Sequence, residues 1–399
     1  MNDPAFSIRG LRSWYLIGDA LTPGNDDMTI VVTAPNDTDY VDAYITDMPV
    51  IRMDAQSDGF ALQTALNQVP AGTYDILFTA NGSDTAFAKV TWNRSAAYYV
   101  LVTTDYDFSD PGAYAIGQMD AMHTDHAALR ITHFWAPYTY TDPYVDAARQ
   151  AELDTWIQKQ RDQFHDEIGL HIHPYCHFVV DAGLTCITDQ STVYPAGDLS
   201  GYTIEVSAYG RDNFGMLLDH AKSIFATHGL GTPVTFRAGG WTADLNTLLA
   251  LGDKGFIADT SALNWARIEE WKGKVLYDWN MTHWAPIDDT SQPYYPSQTD
   301  ILTSQPGADM GVLEAPDNGV MIDYVSTTEM TQIFDENWDG TPFATPRTLV
   351  MGFHPAIGFT PGEYKRVDDF LTLADSHTGE LGPVVYTTLS DLTTVFPAQ

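Results

Sequence analysis

In the first ninety or so residues, apolar positions recur at every second place. Within residues 73–79, Tyr74, Ile76 and Phe78 alternate with more polar neighbours, and beyond Asn81-Gly82 the alternation resumes at Ala86, Ala88, Val90 and Trp92. A period of two is that of a half-buried strand, and Asn-Gly is the favoured two-residue turn, so the pattern predicts a hairpin. Residues 29–33 read as another short strand, and clusters of Asn, Asp, Gly and Pro separate such runs. With no helical period, the reading for residues 1–97 is a small all-β, immunoglobulin-like sandwich, an accessory domain.

From Tyr98 the texture changes. Residues 99–103 and 130–134 are strand-like apolar runs, and Leu153, Trp156, Ile157 and Phe164 then recur at helical spacing. Phe214, Leu217, Leu218, Ala221 and Phe225 form a second helical stripe, stopped at Gly229, which feeds a strand at 234–237. Next come a helix capped at Thr242 and ended by Gly252, a strand at 256–258, and strand candidates at 275–277 and 311–314. A strand at 348–353, a helix from Glu363 and a strand at 384–387 complete the chain. Strands alternating with amphipathic helices predict an α/β domain on parallel strands over residues 98–399.

The polar residues gather at the ends of these strands. Asp105, Asp107, His171, His173, His177, Arg237, Asp259 and His354 all fall at or just past a predicted C-terminal end, where barrels of this class build their sites. The stretch FHDEIGLHIHPYCHF holds three histidines: His171 and His173 would share a strand face, His173 and His177 one face of a helical turn. Either pair can close on one ion, and two histidines with a carboxylate is a catalytic zinc pattern, whereas a lone histidine here would read as a polar strand edge. Asp105 and Asp107 read either as a base beside a ligand or as turn formers. Arg237, in Phe236-Arg237-Ala238-Gly239-Gly240-Trp241, reads as a salt bridge or as part of a close approach to a ligand. His354 reads as a core histidine or a general acid.

Charge narrows the partners. Nineteen Lys and Arg against 53 Asp and Glu leave a formal charge of -34, which disfavours nucleic acid and anionic membranes. The acids are dispersed, as on a surface facing a salty or extracellular medium. No apolar run reaches the length of a membrane span, and Met1-Asn2-Asp3-Pro4 fits a cytosolic terminus or a chain whose signal peptide has been removed. Cys176 and Cys186 read as a disulfide, a spare ligand or a buried thiol, with the disulfide favoured by their polar, loop-like setting. Residues 335–340 open like a calcium loop, but the twelfth position is Pro346 where a glutamate is needed, so the segment reads as a turn.

Five stretches in order, TTDYDF, EIGLHIHPYCH, FRAGGW, GFIADTS and LVMGFHP, resemble the motifs of the polysaccharide deacetylase superfamily, of the carbohydrate esterase family 4 type, from Tyr98 to the C-terminus. The resemblance implies a distorted (β/α)7 barrel and a metal-dependent hydrolase that removes N- or O-linked acetyl groups from a poly- or oligosaccharide. It implies Asp105 as base, Asp107 as metal ligand with two histidines, Arg237 orienting the base, and His354 as acid. Here Tyr106 separates two aspartates that are usually adjacent. The four-residue histidine spacing favours His173 and His177, with His171 as the alternative ligand, and the partner of His354 stands open between Asp259 and Asp278. The expected cofactor is one divalent ion, zinc, and the expected sugar contacts are Tyr175, Trp241 and Trp279. The expected location is secreted or periplasmic. The competing readings are a glycoside hydrolase using Asp105 or Glu314 without metal, and a non-catalytic carbohydrate-binding protein.

Overall fold

The computed structural model describes residues 6–188, 199–356 and 359–398. The chain divides into two compact units: one of residues 1–98, 338–347 and 376–385, the other of residues 99–337, 348–375 and 386–399.

Among the described residues the first unit carries nine short strands: β1 (Ile8–Arg9), β2 (Trp14–Leu16), β3 (Asp27–Val32), β4 (Val41–Ile45), β5 (Ile51–Arg52), β6 (Asp54–Gln56), β7 (Gly59–Ala65), β8 (Gly72–Ala80) and β9 (Ala88–Ser95). They form two sheets, ordered β1-β3-β7-β6 and β2-β9-β8-β4-β5. The Asn81-Gly82 hairpin is present, with β8 and β9 antiparallel and Tyr74 opposite Trp92. Alternation then does its work: Met28, Ile30 and Val32 from one sheet join Ile76, Phe78 and Trp92 from the other in a single buried cluster. Fully burying one such side chain stabilises by roughly 1.5–3 kcal/mol. Two late segments complete this unit, because Ala96 N–H donates to the Phe343 carbonyl (2.8 Å), Arg347 N–H to Ala97 (3.2 Å) and Tyr98 N–H to Pro383 (2.8 Å).

The second unit is α/β. Strands β10 (Tyr98–Asp105), β11 (Ile131–Trp135), β12 (Glu167–Ile172), β13 (Thr235–Ala238), β14 (Ala258–Asp259) and β15 (Leu313–Glu314) pair in parallel in chain order. Strands β16 (Arg347–Phe353) and β17 (Val384–Tyr386) both pair with β10. Beyond β15 the backbone bridges Leu263 at Asp317 and Gly352 at Met321, so hydrogen bonding continues from β14 round to β16. Between the strands lie α1 (Gly112–Asp125), α2 (Ala147–Phe164), α3 (Cys176–Asp181), α4 (Gly210–Thr227), α5 (Leu245–Asp253), α6 (Val275–Trp284), α7 (Thr327–Asn337) and α8 (Pro361–Asp375), with α9 (Leu389–Val395) last.

Three local readings change, the first at residues 335–337, which read in the sequence as the opening of a turn and instead close α7. Residues 275–277, a strand candidate, open α6, which buries Leu276, Asn280 and Trp284 at a spacing of four. A three-residue apolar run does not distinguish strand from helix. The cap of α5 is Asp244, whose side chain accepts from Thr247 N–H, rather than Thr242. Cys176 and Cys186 are joined in a disulfide, Cα to Cα 5.1 Å. Among the described residues no helix is long and apolar enough to cross a membrane.

Candidate active site

The site grows from the ends of β10 and β12, strands separated by β11 in the sheet. β10 ends at Asp105, and Asp107 follows one residue beyond Tyr106; β12 carries His171, and His173 lies just past its end. Extension holds through Ile172, so the two histidines fall on one side, and Asp107 Oδ1 lies 3.2 Å from His171 Nε2 and 3.4 Å from His173 Nε2. Donor atoms bonded at 2.0–2.1 Å to a tetrahedral zinc are separated by about 3.3 Å, so the spacing suits such an ion.

The other ring nitrogens make the case stronger. His171 Nδ1 lies 2.9 Å from the Arg237 carbonyl and His173 Nδ1 3.0 Å from the Tyr202 carbonyl. A carbonyl only accepts, so both Nδ1 atoms carry the proton, and a neutral ring then turns a lone pair toward Asp107. Two lone pairs aimed at a carboxylate call for a cation among them, and a carbonyl behind each ligand histidine is the usual way such rings are oriented. The residues therefore fit a divalent ion held by Asp107, His171 and His173. Gly239 gives the His173 ring its place, since a Cβ there would lie 2.7 Å from the ring.

Asp105 is buried, and Arg237 Nη1 donates to its Oδ1 at 3.1 Å and to Thr103 Oγ1 at 2.8 Å. The guanidinium is itself held: Nε donates to the Thr260 carbonyl at 3.0 Å, and Nη2 lies 3.1 Å from Asp317 Oδ2. Gly352 leaves room for it, because a Cβ there would stand 3.1 Å from Nη1 and 2.4 Å from Met321 Sδ. Burial pushes the Asp317 carboxyl up to about 6, against the pull of Arg237.

His354 follows β16. Its Nδ1 lies 2.5 Å from Asp323 Oδ2, which also accepts from its backbone N–H, leaving Nε2 on the side of Asp107 at 3.8 Å. Burial pushes the imidazole down, but the charges of Asp107 and Asp323 outweigh it and raise it to about 10. At Asp107 burial likewise raises the carboxyl, yet positive charge facing it, that of His354 first, holds it well below the usual range. Asp107, His354 and Asp323 open onto a cleft of about 320 Å³ that Phe108, Tyr202 and Trp271 also line.

No family model and no curated protein matches the chain. Several of the solved structures that it resembles are described as polysaccharide deacetylases or as a family 4 carbohydrate esterase. A protein from Mycobacterium smegmatis described as a polysaccharide deacetylase aligns over 76% of this chain and 91% of its own, at 12% identity and TM-score 0.45. The family 4 carbohydrate esterase of Streptomyces lividans, solved with acetate, aligns over 75% and 96%, at 11% identity and TM-score 0.37. A 4-alpha-glucanotransferase from Thermococcus litoralis aligns over 76% of this chain and 41% of its own, at 8% identity and TM-score 0.42. At such scores the chemistry rests on the site's own geometry.

That geometry reassigns several expected roles. His177 is not in the cluster: it lies on α3, with Nδ1 2.8 Å from Thr141 Oγ1. Pro174 and the extended N-cap Tyr175 end the strand before α3 starts, so His173 and His177 belong to different elements. The partner of His354 is Asp323. Asp278 is exposed on α6, and Asp259 shares a buried contact with Glu314, where burial raises Asp259 to about 6 and Glu314 further.

None of the three expected sugar contacts lines the cleft. Tyr175 donates its hydroxyl to the Asp107 carbonyl at 3.2 Å, Trp241 is buried edge-on to His354 at 6.0 Å, and Trp279 stacks on His283 at 3.9 Å. Sequence reasoning missed Asp323, Tyr202 and Asp317. Tyr202 donates its hydroxyl to Asp107 Oδ2 at 2.9 Å while its carbonyl receives His173. A faint signal for Asp323 exists, an acid closing the apolar run Val320-Met321-Ile322.

Proposed function

We propose that the chain is a metal-dependent hydrolase that removes an acetyl group from a carbohydrate, working outside the cytoplasm. The observation that carries this reading is the cluster of Asp107, His171 and His173, whose ring nitrogens face acceptors on both sides. When bound, a divalent ion such as zinc would supply Lewis-acid polarisation of the acyl carbonyl and a more acidic water.

The chain's own residues do the rest. Asp105, held square by Arg237, takes a proton from the attacking water. His354, whose Nδ1 is occupied by Asp323, keeps Nε2 on the cleft side and delivers a proton to the departing nitrogen or oxygen. The Asp323 carboxylate behind Nδ1 favours the protonated ring. The disulfide suits an oxidising compartment, in keeping with secretion or a periplasmic site. The glycoside hydrolase reading loses Glu314, which is fully buried on β15 and does not line the cleft.

Acetate release from acetylated glycans, with and without a chelator, tests the reading. Asp105→Asn should abolish turnover of amide and ester alike, with metal retained. His354→Ala should lower kcat/KM on an acetamido sugar by about 10²–10⁴-fold and on an activated ester such as nitrophenyl acetate by less, because a poor leaving nitrogen depends more on the acid. Equal losses on both substrates would remove His354 from the leaving-group role.

A further inference from the structure

The cleft holds a feature that the proton transfers do not use. Phe108, directly after Asp107, is 44% exposed, an unusual placement for a large apolar ring beside a polar cluster. Its ring stacks on Tyr202, with centroids 5.9 Å apart and planes at 23°. A second aromatic pair lines the same cleft: Trp271 meets Tyr324 edge-on at 5.8 Å, and Tyr324 in turn lies 6.0 Å from His354. Trp271 comes from the long connection between β14 and β15, so four segments distant in sequence bring two aromatic pairs to one opening.

The remaining charged lining is Asp107, Asp323, Glu363 and His354, and no lysine or arginine is among the described lining residues. Such walls give no bidentate partner to a carboxylate or phosphate, whereas aromatic faces suit an apolar surface studded with hydroxyls. A volume of about 320 Å³ is at the small end of ligand pockets, roughly 300–1,000 Å³, which suits one ring at a time.

We propose that Phe108 and Trp271 are specificity-determining residues, and that with Tyr202 and Tyr324 they hold the C–H face of one uncharged pyranose ring so that its acetyl group reaches the Asp107 cluster. This rests on the hydrolase reading above and adds the substrate's shape and charge to it.

The test compares an acetylated, uncharged oligosaccharide of four N-acetylglucosamine units with vinyl acetate, an ester that has no ring. Trp271→Ala and Phe108→Leu should each raise KM for the oligosaccharide by about tenfold with a smaller change in kcat, and lose several-fold more kcat/KM on it than on vinyl acetate. Metal content and melting temperature, measured on the same preparations, separate lost stacking from a damaged fold. Equal losses on the two substrates at intact metal content, or an unchanged KM, would overturn the stacking role while leaving the hydrolase reading in place. A wild-type protein that hydrolyses neither substrate would overturn both. In a third arm, an O-acetylated oligogalacturonate should be turned over at least tenfold less efficiently than the uncharged chain in low salt, and equal turnover would overturn the charge selection.

Discussion

The second unit contains two clusters of the same composition. One is Asp107 with His171 and His173; the other is Asp166 with His123 and His133, fully enclosed between α1, β11 and the start of β12. Their spacings differ. In the enclosed cluster Asp166 Oδ2 lies 2.8 Å from His123 Nε2 and 3.0 Å from His133 Nε2, tighter than the 3.2 and 3.4 Å of the first. Their outer partners differ too. His133 Nδ1 faces two hydroxyls, Thr104 Oγ1 at 3.0 Å and Tyr106 Oη at 3.1 Å, which can donate to it, so a neutral ring is satisfied with its proton toward Asp166. His171 and His173 face carbonyls, so a neutral ring at either place turns an unprotonated Nε2 to Asp107. Two histidines and an aspartate therefore spell a metal site or a buried strut according to what stands behind the rings.

The largest expected effect follows from that contrast. His171→Ala or His173→Ala should remove the metal and lower kcat/KM by about 10³-fold or more, the several kcal/mol that metal charge stabilisation supplies. His123→Ala should keep one metal equivalent per chain, and so should His177→Ala. Elemental analysis beside acetate release reads both. A His123→Ala protein that loses metal, or a wild type with two equivalents, would erase the distinction.

Next in size is Asp166→Asn. Taking the charge from between two buried histidines should cost about 3 kcal/mol in urea unfolding, with metal content unchanged. Loss of metal without loss of stability would reverse the roles of the two clusters.

Tyr202→Phe should weaken metal affinity by about 10–100-fold, since its hydroxyl steadies Asp107 Oδ2. Competition with a chelating dye measures this, and an unaltered affinity would mean that Tyr202 serves the cleft alone.

The smallest effect concerns acid. Burial raises the Asp166 carboxyl, but the hydrogen bonds from His123 and His133 outweigh it and depress it below its ordinary value. A depressed carboxyl contributes stability that is full above its unfolded pKa of about 3.9 and is lost as pH falls through the folded one. Wild type should thus lose stability more steeply than Asp166→Asn below about pH 4, and identical acid limbs would show that the aspartate is not held ionised.

Much of this could be read from the chain. Asp105, Asp107, Arg237 and His354 stand where strands end, and a strand's end is written in where its apolar run stops. The choice among histidines was harder, because His171, His173 and His177 satisfy a strand period and a helix period at once. Only the break at Pro174, before α3, separates them. Asp323, Tyr202 and Phe108 lie outside the regular elements and Trp271 closes a single 3₁₀ turn, Glu269–Trp271, where no period announces a side chain's direction. Tyr202 is brought near by the Cys176 N–H bond to the Ser200 carbonyl, 2.7 Å, a long-range contact that no local pattern encodes.

The interleaving of the first unit sets a timetable for synthesis. Ser95 Oγ pairs with the Phe343 backbone across 248 positions, and the other late segment arrives later still. At roughly 5–20 residues per second, the ribosome needs about 12–50 s to make that stretch, during which both small sheets have emerged without the strands of chain that finish them. The first unit thus begins before the α/β one and is among the last to be complete. A chain stopped anywhere before residue 338 would leave that unit unfinished as well as the α/β one, so a late nonsense mutation should betray itself to proteases at the N-terminal end too.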